Sequence, residues 1–253
     1  MGENNSSDTR VVPVFECIAD MSATANDWLS RLLRLTGTEL PTESLSQGPI
    51  TARRWGASEM KLDPPVSLLS YLIRTMSGPV ENEEGKTNET ILRRRRLAER
   101  DSETIRLALK ELRNGYKQSD WFVLEGQTQP DVFYESDDII LVVEGKRTER
   151  EATEKTKWMP GRHQMFRHLD CAWEIRGNKR VLGMLIVEGS GDDETVPGYW
   201  RKYSERLVSA EVVASCLPHR GPAEQRAIAG SFVGVTTWQR VCREFDIPWP
   251  PQG

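Results

Sequence analysis

An α/β fold, with a central mixed β-sheet flanked by helices, is what this 253-residue sequence predicts. Apolar residues recur at helical spacing in the N-terminal half, and the pattern changes to short strand-like runs after Asn114-Gly115. Later, Arg180–Glu188 is a nearly continuous apolar run of the kind seen in a strand covered on both faces. Such a sheet buries its faces only if helices pack on each side, which is the layered solution for this order of elements.

Residues 1–62 form an N-terminal helical region that opens on a Gly/Asn/Ser stretch read as disordered. Within it, Thr24–Leu35 places Trp28, Leu32 and Leu35 on one helical face, and Gly37 marks the stop. Residues 63–253 read as the main α/β domain. Pro64-Pro65 leads into an apolar helix, Val66–Met76, and a polar loop, Ser77–Asn88, follows. Glu89–Arg113 reads as one long helix with Leu97, Ile105, Leu109 and Leu112 in a stripe. Trp121–Glu125, Asp131–Tyr134 and Ile139–Glu144 are short, rich in β-branched and aromatic residues, and separated by turn-like segments, which predicts a three-stranded antiparallel meander. A helix over Arg162–Glu174, the buried strand Arg180–Glu188 and a helix over Tyr199–Ser215 complete the pattern. Phe232–Phe245 is weakly patterned, and Pro248-Trp249-Pro250-Pro251 reads as an extended tail.

Composition narrows the function. With 34 basic and 38 acidic residues the formal charge is −4, which excludes a histone-like polycation. No run of about 18 apolar residues exists to cross a membrane, and the polar start lacks the basic and apolar regions of a secretory signal, so a cytoplasmic protein is expected. Cys17, Cys171, Cys216 and Cys242 are far apart with no C-x-x-C pair, the pattern of reduced thiols rather than of a disulfide framework or zinc site. By segment the charge is uneven. Trp121–Glu144 is net −6, whereas Lys86–Arg113 is net +4 and Lys146–Arg180 is net +5. An acidic strand cluster between basic segments suits a metal site flanked by phosphate contacts. A run such as Arg93–Arg96 equally forms a solvated helix face with intrahelical ion pairs.

The residues that carry chemistry lie in the acidic segment. Acid-x-Lys triplets occur three times, about what chance provides in a chain this rich in acids, but only Glu144-Gly145-Lys146 ends an apolar strand and follows the Pro130-Asp131 pair. Side chains alternate along a strand, so Glu144 and Lys146 share a face. If Glu135–Asp138 is the link and Tyr134 stands opposite Ile139, Asp131 falls opposite Val142, on the face of Glu144 and diagonal to it. A slip of one residue would separate them. Two carboxylates with the backbone carbonyl of Gly145 make a hard oxygen site suited to Mg²⁺, with Mn²⁺ as substitute, and Lys146 beside it can orient a water or offset phosphoryl charge.

These residues resemble the PD-(D/E)XK nuclease superfamily, which has the restriction-endonuclease-like fold. The resemblance covers roughly Glu89 to Glu188. It implies that Asp131 and Glu144 bind the divalent metal, that Lys146 assists the attacking water, and that the reaction is phosphodiester hydrolysis, with DNA as the expected substrate. Members carry a Gln on the following helix, often as Gln-x-x-x-Tyr; here Gln164 has that position, with His168 in place of the Tyr. Members also add a Glu from the preceding helix, for which Glu103 is chosen and Glu99 and Glu111 are about as defensible. Arg93, Arg94, Arg147 and Arg162 are the expected phosphate contacts, and cutting both strands from a single site would call for a homodimer. The competing class is a nuclease-like fold without catalysis that serves as a nucleic-acid-binding or assembly module.

Overall fold

Strand alternation sets the architecture of the computed structural model, which describes residues 7–21, 25–37, 49–75, 89–115, 124–149, 159, 161–190 and 194–251. Five strands form one mixed sheet in the order β1-β2-β3-β4-β5: β1 (Ile50–Trp55), β2 (Val132–Ser136), β3 (Ile139–Lys146), β4 (Arg180–Val187) and β5 (Phe232–Thr237). β1, β2 and β3 are antiparallel neighbours, whereas β3, β4 and β5 run parallel. β3 is central and every one of its residues is buried.

The two faces of β3 and β4 divide the core. Ile139, Leu141 and Val143, with Leu182, Met184 and Ile186, pack against α1 (Val12–Met21), α2 (Ala25–Arg34) and the final helix, α10 (Trp238–Glu244). Ile140 and Val142, with Val181, Leu185 and Val187, face α6 (Gln164–Ile175) and α7 (Gly198–Leu207). α3 (Val66–Thr75), α4 (Glu89–Ala98) and α5 (Ser102–Arg113) form a third cluster around Leu68, Leu72, Leu97 and Leu112. α8 (Ala210–Cys216) and α9 (Pro222–Ala229) close the α6 side. Among the described residues no helix is long and apolar enough to cross a membrane.

The predicted meander is redrawn. Residues 121–123 lie outside the described residues and Leu124-Glu125 form a bend. The antiparallel neighbour of β2 is instead β1, whose half-exposed edge carries Arg53 and Arg54 and so lacks a clean apolar alternation. Helix α1 likewise stands where only a polar start and one later helix were read. α1, α2 and β1 pack with β2–β5 in one core.

The long helix predicted over Glu89–Arg113 is two. Arg100 takes a left-handed conformation at φ 65°, the Arg100 amide returns to Leu97 and the Asp101 amide to Arg96, and Asp101 then caps α5 by accepting from the Thr104 amide at 2.8 Å. This is a Schellman termination followed at once by an N-cap, which apolar periodicity does not register. Ser209 also breaks the helix predicted over Tyr199–Ser215, capping α8 by accepting from the Val212 amide.

Gly183 lets α6 lie directly on β4: a Cβ there would meet Leu169 Cδ2 at 2.6 Å and Met165 Sδ at 2.9 Å. Gly183→Ala is therefore expected to cost about 2 kcal/mol by overpacking, read as a lowered urea midpoint at unchanged m-value.

Candidate active site

The site is built where β2 begins and β3 ends. The β2–β3 ladder pairs Val132 with Val143, Phe133 with Val142, Tyr134 with Leu141 and Glu135 with Ile140. The sequence reading had Tyr134 opposite Ile139, so the register differs by two residues. The strands continue to Ser136 and Ile139, leaving Asp137-Asp138 as a tight hairpin connection. A two-residue shift preserves the faces, and one step beyond the Val132–Val143 pair Asp131 stands level with Glu144 instead of diagonal to it.

Asp131 precedes the strand proper, and its Oδ2 accepts the Gly145 amide at 2.6 Å. Pro130, with no N–H, offers nothing to the ladder at this point, so the Asp131 side chain takes over from the strand. Gly145 has a second role on the opposite face. A Cβ there would sit 2.7 Å from Trp238 Cζ2 and 3.0 Å from Val11 Cγ2, so only glycine admits the indole, whose Nε1 donates to the Lys146 carbonyl at 3.2 Å.

Glu144 and Lys146 face α6. Lys146 Nζ donates to Glu144 Oε1 at 2.7 Å and to Gln164 Oε1 at 3.2 Å. Glu144 Oε2 lies 2.8 Å from Nε2 of His168, one turn beyond Gln164 on the same face of α6, and Thr128 Oγ1 lies 2.8 Å from Nδ1 of that ring. The structure thus brings together Asp131, Glu144, Gly145, Lys146 and Gln164, and adds Thr128, His168 and Glu59.

Electrostatics set these carboxyls apart. Burial and the charge of Glu144 push the Asp131 carboxyl up to about 8, against the pull of the Gly145 amide and Lys146, and Glu59 adds to the rise. Burial would also raise Glu144, but His168 and Lys146 together reverse this and hold it below the usual carboxylate range. For Lys146, burial lowers and Glu144 raises, with a net upward shift that keeps the ammonium charged. Glu59, on the segment after β1, is raised by burial first and then by Glu144 and Asp8, despite the hydrogen bond that Ser7 offers. The helical turn Ser7–Val11 walls this side: Ser7 Oγ donates to Glu59 at 3.4 Å, Arg147 Nη1 to Thr9 Oγ1 at 3.3 Å, and Arg10 grips Glu188 at 2.9 and 3.0 Å.

Other expected site residues lie elsewhere or act differently. Glu103 is exposed on α5 and paired with Arg106; the acid that interacts with Asp131 and Glu144 is Glu59. Arg93 and Arg94 lie on α4, where Arg93 bonds Glu89 at 3.0 Å, an intrahelical pair. Arg147 directly follows Lys146 and is half-buried. Arg162 is no phosphate contact, because only 1% of it is exposed and its guanidinium is spent on Glu125, Asp170 and the Cys216 carbonyl. Among the sequence signals, only the Gln164–His168 spacing pointed to an added residue; Glu59 sits in a triplet indistinguishable from chance, and Thr128 in a loop.

Among the described residues, no group of three or more His, Cys, Asp or Glu side chains is gathered closely enough to form a metal cage. Mg²⁺ needs less than a cage, since it keeps several waters and takes one or two carboxylates. The donors here, the carboxylates of Asp131 and Glu144, are hard oxygens of the chemical kind such an ion takes. No family model, curated protein or solved structure matches the chain.

Proposed function

We propose that the chain is a Mg²⁺-dependent nuclease of PD-(D/E)XK type, hydrolysing phosphodiester bonds with DNA as substrate. The observation that carries this reading is the meeting of buried Glu144 and Lys146 with half-buried Asp131 and Gln164, with Asp131 raised to about 8 by burial and by the charge of Glu144. The order of elements around it, three antiparallel strands, a helix and a further parallel strand, supports the same reading.

Asp131, Glu144 and the Gly145 carbonyl would hold Mg²⁺, with Glu59 close by. The ion would supply Lewis acidity toward a phosphoryl oxygen and an acidified water. Lys146 remains a cation beside Glu144, so its part is to orient the water and offset phosphoryl charge rather than to take a proton. Gln164 fixes the ammonium from the helix side, and Arg147, next along the chain from Lys146, would contact the backbone phosphate. On a duplex, a homodimer would supply one site per strand.

The closed Lys146–Glu144 contact favours one alternative, a catalytically silent nucleic-acid-binding module in which the lysine stands where a cation would. Metal titration with supercoiled plasmid nicking separates the two. Lys146→Ala is expected to keep Mn²⁺ binding and lose roughly 10²–10³-fold in nicking rate. A wild-type protein that binds neither Mg²⁺ nor Mn²⁺, or unchanged nicking by Lys146→Ala, rejects the enzyme.

A further inference from the structure

The two oxygens of Glu144 are held by unlike partners. Oε1 meets Lys146 Nζ, an ammonium on a flexible stem, whereas Oε2 meets His168 Nε2 on a rigid ring with no exposure. That ring is fixed in turn at Nδ1 by Thr128 Oγ1. Thr128 itself is pinned by paired backbone hydrogen bonds with Leu62, each 2.9 Å. A continuous path therefore runs from backbone to carboxylate without a loose end. The other histidines have different partners: His163 meets the Tyr203 hydroxyl at 3.1 Å and His219 lies 2.9 Å from Asp170.

We infer that His168 is the positioning residue of the acidic site, orienting Glu144 through Thr128–His168–Glu144 so that Oε1 stays turned toward Lys146 or a bound divalent cation. This rests on the nuclease reading for the cation. Nε2 meets the Glu144 carboxylate and Nδ1 meets the Thr128 hydroxyl, so the ring is held at both nitrogens and orients Glu144. Hydrogen-bonding partners behind a ligand typically govern metal affinity and activity by about 10–100-fold.

The test uses full-length His168→Leu, His168→Gln and Thr128→Val. Mn²⁺ affinity is measured from the free-ion electron paramagnetic resonance signal, kcat and KM on a DNA duplex, and folding by circular dichroism. His168→Leu is expected to weaken Mn²⁺ binding and kcat by about 10–100-fold with KM little changed. His168→Gln, whose amide N–H can reach Glu144, is expected to recover most of the loss, and Thr128→Val to lose about fivefold, below the full effect of removing the ring. A folded His168→Leu with wild-type affinity and kcat, or a glutamine variant no better than leucine, overturns the role of His168 while leaving the nuclease reading intact. If His168→Leu does not fold, Thr128→Val decides, and wild-type affinity and rate there overturn it. Absence of Mn²⁺ binding by the wild-type protein overturns the cation reading and this role with it.

Discussion

Replacing Asp131 with asparagine is expected to abolish Mg²⁺-dependent cleavage, by at least about 10³-fold, and to make the metal-free protein more stable. The amide keeps an oxygen for the Gly145 N–H but loses the charge that the fold tolerates poorly. The sign follows from linkage. The Asp131 carboxyl sits at about 8 in the folded chain, against about 3.9 unfolded. Between these values the native state holds a proton that the unfolded chain has released, so stability falls as pH rises and the full penalty is present above about 8. The Asp131→Asn variant has no such dependence. Its advantage in metal-free urea unfolding should be near zero at pH 4 and reach about 2 kcal/mol at pH 8, allowing for solvent access to a partly exposed carboxyl. Mn²⁺ should raise the melting temperature of the wild-type protein and leave Asp131→Asn unmoved. A variant that is less stable than wild type at pH 8 without metal would show that Asp131 is a structural carboxylate, already compensated.

Arg162→Met is expected to be the most destabilising single change outside the apolar core, at about 3–5 kcal/mol. Its guanidinium reaches Glu125 Oε1 at 3.2 Å, the Cys216 carbonyl at 2.7 Å and Asp170 Oδ2 at 2.8 Å, all under cover. Burial would raise the Asp170 carboxyl, but the His219 hydrogen bond and the charges of Arg162, His219 and Arg220 hold it at about 2. That depressed value stabilises the fold above about pH 4, and the contribution is lost as pH falls toward 2. Taking Arg162 away leaves Asp170 with His219 and Arg220, and Glu125 with Arg167 alone of its two arginines, so both acids stay buried with less compensation. The urea midpoint should drop sharply at pH 7 and much less at pH 2.5, and Arg162→Met/Asp170→Asn should cost less than the sum of its single variants. A stable Arg162→Met that merely binds DNA more weakly would return this arginine to the phosphate contacts.

These two residues show what could be read in advance. Asp131, Glu144 and Lys146 lie on adjacent strands joined by a hairpin, so the alternation of side chains puts them on one face. An error of two in the register left that arrangement intact because two is the period. Arg162 gave the opposite result. Its position before an apolar helix is plain, but the acids that neutralise it come from residues 125 and 170, and residue type alone suggests a surface cation. The division of α4 from α5 was hidden for a local reason, since it depends on one left-handed arginine and one capping aspartate rather than on a change of apolar period.

The sequence by itself determined the α/β class, the buried strand β4, and the acid-acid-lysine grouping with Gln164 on the following helix, because all of these follow from short-range periodicity and neighbouring elements. Tertiary structure alone decided that β1 completes the sheet, that Glu59 approaches Asp131, and that Thr128 and His168 stand behind Glu144. Those contacts join segments far apart along the chain. Their partners are selected by burial and by the need of every enclosed polar group for a hydrogen bond, which no local pattern records.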